Sequence, residues 1–255
     1  PAVIAVARAK GLLAKPREDR WHKRPTALFG GVAIWLAVVA VGAWRLPWTA
    51  QNVGVLLGTT LMFAVGLVDD ILHIKPSSKL IGQIAAACVA VLAGVHVEAL
   101  PQPFLFVPVT IVWIVGITNA FNLIDNMDGL SAGVAAISAI FIVAFSALLG
   151  NREVAILAAI VGGAAAGFLL YNFNPARIFM GDCGSMVLGF ALACAALEGT
   201  WHQASNLFLL LAAPALLLAV PIFDTALVTV LLTFAGRPVS QGGRDHTSHR
   251  LVALG

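Results

Sequence analysis

The sequence predicts an all-α, polytopic membrane protein: a helical bundle of about eight spans, each near the 20 apolar residues that cross a bilayer. Three observations carry this. Hydrophobic residues make up 60% of the chain, charged residues only 11%, and the mean hydropathy is +0.95. A soluble domain is about a quarter charged. The apolar residues also fall into long runs separated by short polar connections. Finally, the few charges within or beside these runs are grouped by side.

Taken in order, the runs predict spans at 28–45, 52–69, 79–97, 103–122, 129–149, 153–171, 184–200 and 206–234. Residues 1–14 read as the tail of an earlier span. The last run is long, and Pro214 and Pro221 are expected to kink it. Small residues, as in GGAAAG at 162–167, suit close helix packing in lipid. The whole of 1–255 reads as one membrane-embedded domain, expected to be cut from a longer protein at both ends. No cleavable signal peptide is visible. Cys88, Cys183 and Cys194 lack metal or disulfide spacing and read as small apolar filler.

The connections alternate between two faces. One carries Lys15, Arg17, Arg20, Lys23, Arg24, Lys75, Lys79, Arg177, Arg237, Arg244 and Arg250; the other has Arg45 and Arg152. The excess of positive charge makes the first face cytoplasmic. All eight aspartates fall on or near that face too, whereas Glu98, Glu153 and Glu198 fall on the other. Orientation does not require this, since acidic residues contribute little to it. A shared acidic site would.

Four stretches bring polar groups to that face. In NAFNLIDNMDGL, 119–130, a helical spacing would put Asn119, Asn122 and Asp125 on one stripe with Asp128 at its end. Asp128 could equally be the N-cap of the helix that begins GLSAGV, and the asparagines could be glue between helices. In GLVDDILHIKPSSKLIGQ, Asp69 and Asp70 close a span and Lys75 and Lys79 follow. Adjacent carboxylates suit a hard cation such as Mg²⁺, with a solvated helix end as the bland alternative. In NFNPARIFMGDCGSMVLGF, Asp182 and Ser185 open a span. Asp182 could cap it, the free N–H groups there would suit a phosphate, and Arg177 could pair with one. The fourth stretch joins PIFDTALVTV, with Asp224 inside a span, to GRPVSQGGRDHTSHRL. There Arg244, His246 and His249 look more like a pyrophosphate clamp than a zinc site, or else a solvated basic loop. Together the groups suit phosphoryl transfer. No Walker A loop is present.

GLVDD, NAFNLIDNMDGLSAG, NFNPARIFMGDCGS and PIFDT, in this order and spacing, resemble the polyprenyl-phosphate N-acetylhexosamine-1-phosphate transferases of glycosyltransferase family 4. The resemblance covers nearly the whole chain. It implies an inner-membrane, multi-pass enzyme of cell-envelope glycan synthesis (lipopolysaccharide or teichoic acid, for example). A polyprenyl phosphate, undecaprenyl phosphate by default, would attack a UDP-amino sugar on the cytoplasmic face and release UMP. The lipid would arrive along a groove beside 206–234. By motif, Asp69, Asp70, Asp125 and Asp128 would be catalytic. Asp182, with Asp70, would hold Mg²⁺, which Mn²⁺ could replace. Lys79, Asn119, Asn122, Arg177, Arg244, His246 and His249 would bind substrate. Two departures stand out. PTALFGG replaces the family's PTPR before the glycines, so any phosphate role there is absent or passes to Lys23 or Arg24. HTSH replaces H-x-H-H, and it resembles the branch using UDP-GlcNAc more than the branch using UDP-MurNAc-pentapeptide. Nucleic acid is not an expected partner, and a homodimer is left open.

The rivals are a cation-coupled transporter, a CDP-alcohol-type membrane phosphotransferase, whose D-G-x-x-A-R signature is absent, and a non-catalytic scaffold. A transporter predicts ionisable groups near the bilayer midplane and often repeated halves, neither of which is seen. Every expected aspartate is retained, which argues against a scaffold.

Overall fold

The computed structural model describes residues 1–14, 26–97, 102–200 and 218–234. Its order is α1 (Ala2–Ala9), β1 (Leu13–Ala14), β2 (Thr26–Ala27), α2 (Gly31–Arg45), α3 (Ala50–Leu72), α4 (Pro76–Leu92), α5 (Pro103–Ile124), α6 (Leu130–Leu148), α7 (Arg152–Asn172), α8 (Asp182–Thr200) and α9 (Ala219–Phe234). Apart from one antiparallel two-residue ladder, β1 with β2, the described elements are helical. The polytopic all-α expectation holds. Four helices, α3, α5, α6 and α7, have the length and hydropathy to cross a membrane, and α2, α4 and 219–230 of α9 are shorter apolar helices.

Helix ends follow local chemistry. Thr49 caps α3 by accepting the Asn52 N–H at 3.2 Å, and Asn151 caps α7 by accepting that of Val154 at 3.3 Å. Pro76 and Pro103 open α4 and α5, where a missing N–H costs nothing. Residues 1–14, expected as the tail of a span, form the short α1 and then β1. Of the long span expected at 206–234, with Pro214 and Pro221 as its kinks, only the second part is described. Residues 201–217, Pro214 among them, lie outside the described residues; α9 begins at Ala219, and Pro221 sits in its first turn.

The bundle is organised around α8. From Cys183 to Leu197 its residues are buried on every side. A helix apolar all round belongs in the middle. Helices α2, α3, α5, α6 and α7 all pack on it, α4 packs on α3 and α5, and α9 lies on α5. Glycine makes the closest approaches possible. A Cβ on Gly31 of α2 would lie 2.3 Å from the Gly184 nitrogen, and one on Gly66 of α3 would lie 2.6 Å from the Cys183 Cα. The hairpin of α6 and α7 uses the small-residue stretch as expected: a Cβ on Gly162 would lie 2.8 Å from that of Ala139. The outer faces are aliphatic, as at Leu57, Leu61, Val68 and Leu72 of α3, and suit lipid.

Candidate active site

Four helix ends meet at one end of the bundle: the C-termini of α3 and α5 and the N-termini of α4 and α8. Lys79 stands at their junction. Its Nζ pairs with Asp69 Oδ2 at 3.0 Å, makes a short ion pair with Asp182 Oδ2, and donates to Asn122 Oδ1 at 2.9 Å. Asn122 passes the chain on through Nδ2 to Ser185 Oγ at 3.0 Å. Two carboxylates thus share one ammonium, which leaves the cluster one negative charge in excess. The Asp182 side chain is 33% exposed, so the cluster opens to solvent on one side.

Asp69 is fixed from behind, where its Oδ1 accepts the Ile74 N–H at 3.0 Å just past the end of α3. His73 ends that helix in the left-handed region at φ 51°. The turn carries the chain into α4 and brings Lys79 back over the aspartates.

Asp70 points elsewhere. Successive helical residues are about 100° apart. Its Oδ1 accepts the Asp182 N–H at 2.8 Å and its Oδ2 accepts the Cys183 N–H at 3.0 Å. The next two N–H groups of α8, on Gly184 and Ser185, both go to the Gly181 carbonyl at 3.1 Å. A helix start leaves four orphan N–H groups. Three of these, on Asp182, Cys183 and Gly184, are already engaged here, and the Ser185 N–H makes the first ordinary helix bond, so this end offers a phosphate less than the sequence suggested. Asp182 is also not its own cap, because that job belongs to Asp70.

The expected stripe on 119–128 is divided by the end of α5 at Ile124. Asn119 and Asn122 lie on the helix, while Asp125 and Asp128 lie in the turn beyond it. Asn119 exchanges hydrogen bonds with Gln83 of α4, at 2.8 and 3.1 Å, and donates to the Val115 carbonyl at 2.8 Å. This is an interhelical amide pair. Asp128 does not cap α6, whose N-cap is Gly129 at φ 77°. Its Oδ2 instead accepts from Asn174 Nδ2 at 3.2 Å and the Ala176 N–H at 3.0 Å, in the loop before α8. Asn172 reinforces the tie by accepting the Gly129 N–H and donating to the Ile178 carbonyl, both at 2.9 Å. That loop also accepts the Gly30 and Gly31 N–H groups at Phe179 and Met180. Arg177 follows Ala176, is exposed, and makes no ion pair among the described residues.

The structure therefore brings Asp69, Lys79, Asn122 and Asp182 into contact, sets Asp70 beneath Asp182, and places Asn119 one turn further in. Asp128 lies on the adjoining loop. Arg244, His246 and His249 lie outside the described residues. Gln83, Ser185 and Asn172 were not singled out as site residues. Only Ser185 carried a signal, as a hydroxyl three residues after Asp182.

The donor set bears on a metal. Among the described residues no three His, Cys, Asp or Glu side chains converge as a ready cage. A pair does converge, Asp69 with Asp182. Mg²⁺ usually takes one or two carboxylates and completes its shell with water and substrate phosphate, so this pair fits it. Asp70 fits less well, with both oxygens turned to backbone N–H groups.

Comparison with known proteins agrees with the motifs. The chain is 33% identical to a probable undecaprenyl-phosphate N-acetylglucosaminyl 1-phosphate transferase of Bacillus subtilis, over 100% of the chain and 74% of the relative. It is 33% identical to the decaprenyl-phosphate N-acetylglucosaminephosphotransferase of Mycobacterium tuberculosis, over 99% of the chain and 72% of the relative. It is also 33% identical to the phospho-N-acetylmuramoyl-pentapeptide-transferase of Limosilactobacillus fermentum, over 77% of the chain and 69% of the relative. The sequence profile of glycosyl transferase family 4 matches residues 52–200, a stretch that contains every helix end of the Lys79 cluster. On these grounds the chain belongs to glycosyl transferase family 4.

Proposed function

We propose that this protein transfers an N-acetylhexosamine 1-phosphate, GlcNAc 1-phosphate by preference, from a UDP-sugar to a polyprenyl phosphate at the cytoplasmic face of the inner membrane. One observation carries the reading. Carboxylates from α3 and α8 and an amide from α5 converge on one lysine of α4, at the open end of an otherwise apolar bundle. Lys75, Lys79 and Arg177 lie at that end, and Arg45 and Arg152 at the other, as expected for a cytoplasmic site. The names of the relatives support the acceptor and the sugar class.

A phosphate oxygen of the lipid attacks the β-phosphorus of the nucleotide sugar. The new P–O bond forms as the bond to the bridging oxygen breaks, and UMP leaves with the electron pair. The lipid phosphate is already largely ionised near neutral pH, so the step needs positioning and charge neutralisation more than a strong base. Asp182 and Asp69 would hold Mg²⁺, or Mn²⁺ in its place. Bound there, such an ion supplies positive charge to the pyrophosphate oxygens. Lys79, released from one carboxylate, turns its ammonium to a phosphate. Asn122 keeps Lys79 and Ser185 in register. The lipid tail stays beside the aliphatic outer faces while the nucleotide enters from water.

The test is a turnover assay with undecaprenyl phosphate, Mg²⁺ and a panel of UDP-sugars that includes UDP-GlcNAc and UDP-MurNAc-pentapeptide. Lipid-dependent UMP release with one donor is the expected result, and Asp182→Asn should abolish it while the protein stays folded in detergent. Near-normal turnover in that variant would remove Asp182 from the metal site. Silence with every donor, beside a working control enzyme, would overturn the transfer reading.

A further inference from the structure

We infer that Asp70 is a positioning residue: by capping α8 from the neighbouring helix it holds the Asp182 backbone in place, and it takes no part as metal ligand or base. The reading above is needed only for what Asp182 then does. The capping stands on its own geometry.

Each Asp70 oxygen accepts a separate backbone N–H, from Asp182 at 2.8 Å and Cys183 at 3.0 Å. An ordinary N-cap comes from the residue just before its helix. That position here is Gly181, at φ 74°, which has no side chain to offer. Nor is there room for one, because a Cβ on Gly181 would lie 2.7 Å from Asp70 Oδ2. The cap has been moved to another helix, and the carboxylate is wedged against the backbone it serves.

The rest of the α3 face is shaped for the same purpose. Gly66 lies one turn before Asp70, on the same side. A Cβ there would lie 2.6 Å from both the Cys183 Cα and nitrogen. From the other side, Gly31 meets Gly184 backbone to backbone, with a Cβ 2.3 Å from the Gly184 nitrogen. The first turn of α8 is therefore gripped by two helices and closed by the carboxylate. Asp182 is the first residue of that turn, and its side chain reaches the Lys79 cluster. A shift of α8 would move Asp182 away from Asp69 directly. Two neighbouring aspartates thus divide the work. Asp69 faces the reacting groups, and Asp70 sets the element that brings the second carboxylate to them.

Hydrogen–deuterium exchange on the full chain in detergent tests this. Peptides covering residues 178–188 would be followed in wild type, Asp70→Ala, Asp70→Asn and Asp69→Ala, alongside the Mn²⁺ concentration for half-maximal turnover. In Asp70→Ala the first-turn amides of α8 should exchange about tenfold faster, the size expected of a lost cap. The Mn²⁺ half-saturation should rise by about the same factor with the melting temperature little changed. Asp70→Asn keeps one acceptor oxygen and should fall between wild type and Ala in both readouts. It also carries the test if the alanine variant does not fold. Asp69→Ala should leave first-turn exchange at the wild-type rate. Full protection of these amides in Asp70→Ala or Asp70→Asn, together with lost turnover, would overturn the inference and make Asp70 a direct participant. If no donor supports turnover even in wild type, exchange still decides the capping and only the transfer reading fails.

Discussion

At the scale of single residues, the site is an exercise in neutralising charge at a membrane face. Asp69 and Asp182 would repel one another, and the Lys79 ammonium between them removes most of that cost. Lys79→Met should therefore act in two ways. Turnover should fall by at least about a hundredfold, the scale of losing one oriented charge at a phosphoryl group. Mn²⁺ binding to the substrate-free protein, followed by electron paramagnetic resonance, should tighten, because an internal competitor for the two carboxylates is gone. Weaker Mn²⁺ binding in that variant would mean that Lys79 helps build the metal seat. The sequence made these residues legible by type and side. It did not tell Asp69 from Asp70, since adjacent letters say nothing of the roughly 100° that separates their side chains on a helix. That division needs α8 in place, over a hundred residues further along the chain.

At the scale of elements, polar pairs and glycines decide which helix touches which. Gln83 and Asn119 join α4 to α5 through two hydrogen bonds. Removing one amide strands the other, at a cost of about 1–3 kcal/mol, whereas removing both can be nearly neutral. Asn119→Leu should thus lower the melting temperature in detergent, and Gln83→Leu/Asn119→Leu should recover much of it. Recovery of stability without recovery of turnover would add a substrate role for Asn119. Gly31→Ala should lose about 1–3 kcal/mol or more through overpacking, as the new methyl meets the backbone at Gly184 with no flexible side chain to give way. Helix positions were readable from hydropathy because apolar runs of this length have few other fates. The end of α5 at Ile124 falls two residues past the expected 122, but its effect on the polar stripe was not legible. The spacing of Asn119, Asn122, Asp125 and Asp128 continues a helical face, and only the turn to α6 shows that the last two leave it. Asp128 looked like a cap because local rules see four residues at a time. Its partners, Asn174 and Ala176, lie beyond two intervening helices.

At the scale of the whole molecule, the two ends of the bundle differ in kind. One holds the Lys79 cluster. The other holds Asn52 bound to Glu153 at 2.8 Å, with Arg45 and Arg152 nearby in sequence. Orientation is testable with single cysteines in a Cys88→Ser background, since Cys183 and Cys194 are buried. In intact cells a membrane-impermeant maleimide should label Thr49→Cys and spare Ser77→Cys; inverted vesicles should reverse the pattern. The opposite result would put the site outside. Most of this division was visible in the sequence, because charge asymmetry is a property of loops and survives ignorance of packing. The central place of α8 was not visible, since its apolar run looks like any other. That place has a consequence for how the protein is made. Helices α2, α3, α5, α6 and α7 enter the bilayer before the ribosome has supplied the helix they surround. Their inner faces, which carry Gly31 of α2 and Gly58 and Gly66 of α3 against α8, must then wait, open or filled by lipid, until residues 182–200 arrive. A nascent chain arrested before Asp182 would be a ring without its axle, and the quality-control proteases of the membrane should clear it quickly.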